Sequence, residues 1–366
     1  MTLSPYTLPF QQCNGDAVNQ VGGKCASLGA MIQANAPVPP GFAVTTEAYL
    51  SLLNTNNLGE CIHVWLDQLN PEDVRTEAQY SDTIRRLIEE TSLTAEVEDA
   101  IRQSYEDLCQ TTGVTDVPVA VRSSATAEDL PGASFAGQQD TFLWVVGADA
   151  VVEKVRQCWS SLYTARAISY RHDNSFAHEK VFMAVAVQKM VKAKAAGVAF
   201  TLNPINGDRS KIAIDSSWGL GEAVVSGEVT PDNFLVDKVI FEVVKQTISL
   251  KHIEYVVDLE NQCTLKRDVE ADRQTQASLT KEELVEVAKM AKRAEKFYKA
   301  PQDVEWAIDA DLPAPNNVVV LQSRPETVWS QKKRETVSTA QSFGMTGLIN
   351  TLIKGVETGV KPVSEA

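Results

Sequence analysis

The hexapeptide Asp303-Val-Glu-Trp-Ala-Ile308 constrains the fold of this chain more than any other stretch. Side chains alternate across a strand with a period of two. Val304, Trp306 and Ile308 therefore share an apolar face, and Asp303 and Glu305 share the other. Such a segment belongs in a sheet that is buried on one side and carries two carboxylates on the opposite side. A second strand is expected at residues 318–323, beyond the Pro-containing loop 311–317. There Val319, Leu321 and Ser323 share one face, and Val320, Gln322 and Arg324 share the other. Pairing the two strands would gather two carboxylates, an amide oxygen and a guanidinium. Hard oxygens suit Mg2+ and a guanidinium suits phosphate. A structural ion pair is the competing reading.

Further upstream, residues 117–122 alternate in the same way. Val117, Val119 and Val121 fall on one face, and Pro118, Ala120 and Arg122 on the other, with Arg122 ending the strand. A loop of small residues, 123–137, follows. Small residues let backbone N–H groups approach phosphate oxygens, although a surface ion pair and a solvent loop fit the same pattern. Gly219-Leu-Gly-Glu222 reads as a tight turn, either plain or presenting a carboxylate or backbone to a ligand. Gly22-Gly23-Lys24 opens a helix to about Gln33 and could set a cation on a phosphate. It is not a P-loop, which needs a longer glycine-rich span and a Lys-Ser/Thr pair.

The remaining pattern alternates helices with short strands. Thr46 is an expected helix N-cap, and two amphipathic helices are expected between about Pro71 and Thr112. Asp149 is expected to cap one long helix to about His172, and Thr280-Lys-Glu-Glu283 fits a capping box. Strands are expected at residues 138–146, 181–190, 197–202, 211–215 and 233–239. The fold class is α+β, or α/β with mixed sheets. The expected division is a largely helical lobe at 1–116, a second lobe at 117–328 and a tail or tether at 329–366. Within that tail, residues 330–346 are polar and 345–360 suit a short helix or a tether.

The formal net charge of −14 argues against a nucleic-acid or anionic-membrane surface, since both need clustered cations. Six scattered cysteines without Cys-x-x-Cys spacing read as reduced thiols of a cytoplasmic protein. The four histidines lack metal-site spacing, so zinc is not expected. No stretch approaches the ~20 apolar residues of a membrane span. The first ten residues do not have the form of a signal peptide.

Several segments together resemble the ATP-grasp, nucleotide-binding part of the phosphoenolpyruvate synthase and pyruvate phosphate dikinase family. They are Val21-Gly-Gly-Lys-Cys-Ala-Ser-Leu-Gly29, Pro39-Pro-Gly-Phe-Ala-Val-Thr45, Val119-Ala-Val-Arg-Ser-Ser-Ala-Thr-Ala-Glu-Asp129, Phe135-Ala-Gly-Gln138, Trp218-Gly-Leu-Gly-Glu222, Pro301-Gln-Asp-Val-Glu-Trp-Ala307 and Leu321-Gln-Ser-Arg-Pro325. They occur in the family's order and cover about residues 12–328. The resemblance implies two lobes around a nucleotide cleft, with ATP and Mg2+ as cofactors.

It also implies roles for individual residues. Lys24 and Arg122 match phosphate-contacting cations, and Gly137 and Thr141 match the loop and strand that close over the phosphates. Gln188 matches the adenine-holding segment. Glu305 and Gln322 match the metal pair, with Asp303 assisting. Arg324 matches the Arg that stabilises the transferring phosphoryl group. Family chemistry moves phosphoryl groups from ATP to a histidine, releasing AMP and phosphate. The phosphohistidine motif of full-length members is absent here, so the expected partner is a separate phosphohistidine-bearing subunit. Three readings stay open. One is the ATP-binding subunit of a split enzyme such as phenylphosphate synthase, acting on phenol. Another is an isolated domain of phosphoenolpyruvate synthase, acting toward pyruvate. The third is a non-catalytic nucleotide sensor. Asp215 stands where relatives often have Glu.

Overall fold

The computed structural model describes residues 4–69, 74–126, 129–130, 133–134, 140–174, 176–178, 181–258, 261 and 263–329. The expectations for Gly137 and for residues 330–366 lie outside these. Internal contacts divide the chain into Met1–Trp329 and Ser330–Ala366; only the first unit is described below.

Two antiparallel sheets carry that unit. The first has the order β1-β2-β7-β3-β6. Its strands are β1 (Thr7–Pro9), β2 (Gly41–Val44), β3 (Val119–Ala125), β6 (Thr141–Val145) and β7 (Met183–Lys189). It thus draws strands from both sides of residue 116. Between β3 and β6, two short strands pair with each other, β4 (Asp129–Leu130) and β5 (Ala133–Ser134). The second sheet has the order β11-β10-β9-β8-β14-β15. Its strands are β8 (Ala193–Phe200), β9 (Lys211–Trp218), β10 (Asp232–Asp237), β11 (Val243–Thr247), β14 (Gln302–Asp309) and β15 (Val318–Pro325). A separate hairpin joins β12 (Ile253–Asp258) to β13 (Cys263–Asp268). Of the two fold classes left open by the sequence, α+β is the one observed.

Alternation determines what each sheet buries. In the first, Phe42, Val44, Val119, Val121, Val185 and Val187 face a helical layer. That layer is built from α2 (Thr46–Asn54), α3 (Leu58–Asp67), α4 (Val74–Glu90), α5 (Ala95–Thr112) and α6 (Ala148–Ser160). The opposite face carries Ala43 and Ala186, which pack on Val21, Cys25 and Leu28 of α1 (Val18–Gln33). In the second sheet, Ile212, Ile214, Phe234, Val304, Trp306 and Ile308 pack against Leu284, Val287 and Ala291 of α9 (Lys281–Tyr298). The other faces of the two sheets, carrying Ala120 and Arg122 on one and Ala196, Ala307 and Val319 on the other, are left for a cleft.

Helix α1 braces both sheets. Its Ser27 hydroxyl donates to the Ser323 carbonyl of β15, and just beyond it the Val320 N–H donates to the Pro37 carbonyl at 2.8 Å. The helix is kinked at Gly22, which has φ +72°. A Cβ there would lie 1.8 Å from the Ser124 carbonyl oxygen of β3. Only glycine permits both this backbone and this approach.

Some local expectations change. The Thr280–Glu283 capping box forms as expected. Thr45, rather than Thr46, holds the N-cap position of α2. The long helix expected from Asp149 is broken. Gly147 precedes α6, the chain tightens into a 3-10 turn at Ser161–Tyr163, and α7 (Ala165–Asp173) restarts with the Thr164 hydroxyl accepting from the Ala167 N–H. A hydroxyl residue at 164 offers a fresh cap, and two buried hydroxyls, Ser160 and Ser161, bond back to carbonyls rather than continuing an apolar stripe. The short helix α8 (Glu222–Val225) follows the glycine turn at 219–221.

Candidate functional site

Strands β14 and β15 are in the expected pairing, with one irregularity. Asp303 opposes Arg324 and Glu305 opposes Gln322, but Trp306 opposes Val320, so Leu321 has no partner across the ladder. This is a β-bulge, in which one extra residue shifts every later side chain by one face. Val320 therefore lies in the core beside Trp306 rather than sharing a face with Gln322, which corrects the simple alternation. Without the bulge, Val320 would have been a cleft residue and Val319 a core residue.

The bulge also frees a carbonyl. Arg122, projecting from β3 of the first sheet, donates from Nη1 to the Leu321 carbonyl at 3.0 Å. Its Nη2 donates to Glu305 Oε2 at 3.0 Å and to Gln322 Oε1 at 3.1 Å. One guanidinium thus joins the two sheets through three acceptors in a planar fork that a lysine could not reproduce. The oxygens of Glu305 and Gln322 both accept from the same Arg122 Nη2, and they are two of the three hard donors expected for Mg2+. Among the described residues no group of three or more His, Cys, Asp and Glu side chains gathers as a metal cage. Two protein oxygens nevertheless fit Mg2+, which keeps waters and takes substrate phosphates as its other ligands. Asp303 stands apart from this pair. It accepts from Arg324 at 2.8 Å, and burial raises its carboxyl above the usual range against the opposing pull of Arg324.

A cavity of about 780 Å³ lies between the sheets. Arg122, Thr141 and Glu305 line one part of it, and Gln188, Lys189, Met190 and Val191 line another. Strand register orders these along one axis: Thr141 opposes Arg122, whereas Gln188 opposes Ala120 and Val145 opposes Val119. Gln188 is almost fully buried, with its amide directed at the Pro39 carbonyl. The glycine turn delivers Leu220, Gly221 and Glu222 to the wall. Gly219 has φ +73°, and its missing Cβ admits the Tyr255 carbonyl of β12, which accepts from the Leu220 N–H at 2.8 Å. That contact anchors the β12–β13 hairpin, which reaches across to β6 and places Thr264 on the cavity.

The expected site residues are therefore not all in one place. Arg122, Glu305 and Gln322 meet. Thr141 and Gln188 line the same cavity. Arg324 forms its own pair with Asp303, one register step away. Lys24 is buried on α1, which packs on the face of the first sheet that carries Ala186, and its Nζ donates to the Ser123 carbonyl of β3, the residue after Arg122. Gly137 is outside the described residues. Sequence reasoning did not find Trp144 or the Leu321 carbonyl as cavity features, whereas Glu222, read as ending either a plain turn or one presenting a carboxylate to a ligand, lines the cavity. The glycines before Glu222 were a usable signal, whereas a bulge leaves no mark in Val318-Val-Val-Leu-Gln322. Asp215 lies on the cleft face of β9 opposite Val198 and accepts from Asn233 Nδ2 at 2.7 Å. Burial pushes its carboxyl up, with the Asn233 bond opposing.

A cleft between two sheets with an Arg, a carboxylate and an amide oxygen at one end matches what the sequence comparisons return. The family model described as the pyruvate phosphate dikinase AMP/ATP-binding domain matches residues 18–344. The chain belongs to this family. It is 43% identical over 341 residues to a probable phosphoenolpyruvate synthase of Staphylothermus marinus, covering 87% of this chain and 41% of that protein. It is 43% identical over 344 residues to a probable phosphoenolpyruvate synthase of Methanothermobacter thermautotrophicus, covering 94% of this chain and 49% of that protein. A phosphoenolpyruvate synthase of Aeropyrum pernix is 42% identical over 353 residues, covering 89% of this chain and 43% of its own length. The chain thus spans less than half the length of these relatives. No helix among the described residues is long and apolar enough to cross a membrane.

Proposed function

We propose that this dikinase-family domain binds Mg-ATP in the cleft and passes a phosphoryl group to a histidine of a separate phosphohistidine-bearing subunit. The observation that carries this reading is the convergence of Arg122, Glu305 and Gln322 at one end of a cavity whose other end is lined by Gln188 to Val191. That arrangement suits a ligand that is anionic at one end and flat and apolar at the other.

In this reading Arg122 binds phosphate oxygens and holds the Glu305 and Gln322 oxygens in register. Bound Mg2+ would supply charge neutralisation on the β- and γ-phosphates, held by Glu305 and Gln322. A histidine nitrogen attacks the β-phosphorus, and the bond from that phosphorus to the α-bridging oxygen breaks. AMP departs with the bridging oxygen. Water then displaces the γ group as phosphate, leaving the β-phosphoryl on the histidine. Arg324 sits beside the metal pair with a half-exposed guanidinium and would stabilise charge on the moving group.

Among the described residues no histidine lines the cavity, which favours an acceptor supplied by another domain or subunit. His63 pairs with Asp67 on α3, His172 with Asp173 on α7, and His178 accepts from Arg171. The names of the relatives favour pyruvate over phenol as the final acceptor. The retained Arg122, Glu305, Gln322 and Arg324 weigh against a sensor that has lost chemistry. The experiment is label transfer: the chain, Mg2+ and β-labelled ATP are mixed with a phosphohistidine subunit and either pyruvate or phenol. AMP formation with label reaching pyruvate is expected. Label reaching phenol would reassign the final acceptor, and ATP binding without AMP from any mixture would favour the sensor.

A further inference from the structure

Trp144 sits where the fold does not favour a tryptophan. Strand β6 opposes β3 through Val145–Val119 and Phe142–Val121, so two β6 residues, Leu143 and Trp144, stand against Ala120 alone. Within this bulge Trp144 has φ +57°. The left-handed position of such a bulge is ordinarily glycine, and a bulky side chain there is strained. Its indole nitrogen is buried and has no hydrogen-bond partner among the described residues. A buried, unpaired donor is a second cost on the same residue. Strain of this kind persists where surrounding structure holds it and clusters at ligand sites. Trp144 lines the cavity, and Ala120, which it stands against, opposes Gln188, another lining residue.

Its place along the strand shows which part of a ligand it would meet. Thr141 opposes Arg122, and the bulge sets Trp144 against Ala120, two β3 residues from Arg122, about 7 Å at the rise of a strand. That lies within the span between the phosphates and the base of a nucleoside triphosphate. We propose that Trp144 is a specificity-determining residue whose indole forms an aromatic wall for the nucleobase, while the Arg122 end takes the phosphates. The proposal rests on the nucleotide reading of the cleft. It adds that selectivity for a flat heteroaromatic ring depends on one residue kept at the expense of local stability.

The test uses Trp144→Asn, since Asn tolerates the left-handed backbone, and Trp144→Phe, which keeps a ring. Calorimetry measures Mg-ATP and Mg-tripolyphosphate binding, and thermal unfolding is followed in parallel. Trp144→Asn should bind Mg-ATP about tenfold more weakly. It should bind tripolyphosphate within about twofold of wild type and melt no lower. Trp144→Phe should keep most of the ATP affinity and lose the indole fluorescence change that ATP produces in wild type. ATP affinity unchanged in Trp144→Asn, or an equal loss for ATP and tripolyphosphate, would overturn the proposal. If the Asn variant does not fold, an undiminished ATP-induced fluorescence change in Trp144→Phe would overturn it. Failure of the wild-type protein to bind ATP would instead overturn the nucleotide reading beneath it.

Discussion

The Arg122 guanidinium on β3 reaches across the cleft to Glu305 on β14 at 3.0 Å, linking two sheets that share no strand. The same group holds Gln322 and the carbonyl of the bulged Leu321. It is both a structural tie and the cation closest to the metal-type oxygens. These roles separate by substitution. Arg122→Lys keeps charge but cannot serve three acceptors in one plane. The lysine variant should unfold within about 1 kcal/mol of wild type while AMP formation falls about 100-fold. Arg122→Ala should lose at least as much activity and about 2 kcal/mol of stability, because Glu305 keeps its partly buried charge without a partner. Urea unfolding and AMP release, measured on the same samples, check both. A lysine variant of wild-type activity would show that the fork geometry does not matter.

Arg324 separates chemistry from fold more cleanly. Its side chain is 39% exposed and touches Asp303, whose own side chain is 10% exposed. Arg324→Ala should abolish phosphoryl transfer and leave Mg-ATP binding within about threefold of wild type. The stability loss should be about 1 kcal/mol. Adding Asp303→Asn should recover that stability, since the uncompensated carboxylate is removed, without recovering transfer. Full transfer in the alanine variant would remove Arg324 from the reaction.

Gly22 tests the support behind Arg122. Its neighbours on α1 fasten to β3 twice: the Ser124 hydroxyl donates to the Val21 carbonyl at 2.8 Å and accepts from the Cys25 N–H at 3.1 Å. A Cβ at residue 22 would strike the Ser124 carbonyl as well as strain a backbone at φ +72°. Gly22→Ala should cost about 3 kcal/mol or more, whereas Gly15→Ala, with nothing within 4 Å of the added carbon, should be nearly neutral. Comparing the two melting temperatures decides whether close approach, rather than glycine content, is what matters.

The parts of this arrangement written in the sequence are those governed by period and capping. Val304, Trp306 and Ile308 could face only a core, which left Asp303 and Glu305 for the cleft. Thr280 and Glu283 mark the start of α9 by their own reciprocal bonds. What could not be read depends on contacts distant in sequence or on bulges. Leu321 is apolar like its neighbours, so nothing marked it as the residue that drops out of register. The β12–β13 hairpin went unread because β12 is half-buried along almost its whole length and β13 is largely exposed, leaving no strong alternation. Trp144 read as one more apolar residue of a strand, since a positive φ is invisible in a tryptophan. The family resemblance supplied roles for Lys24 and Gln188 that period alone could not; Lys24 is buried and donates to the Ser123 carbonyl, next to Arg122.

Asp215 gives the protein a pH signature that does not depend on its partner. Burial raises its carboxyl above the ordinary value, so the folded state holds that proton more tightly than the unfolded chain does. Stability from this group is therefore present in acid and is lost as pH rises through the folded value. Asp215→Asn removes the ionisation but keeps an oxygen to accept from Asn233, which donates at 2.7 Å. The variant should match wild type near pH 4 and be the more stable protein near pH 7. Asp303 is raised in the same direction but is common to both proteins, so the difference between their urea midpoints isolates Asp215. Midpoints that stay parallel across this range would mean that Asp215 titrates as it does in the unfolded chain, and its burial on the cleft face would then carry no electrostatic cost.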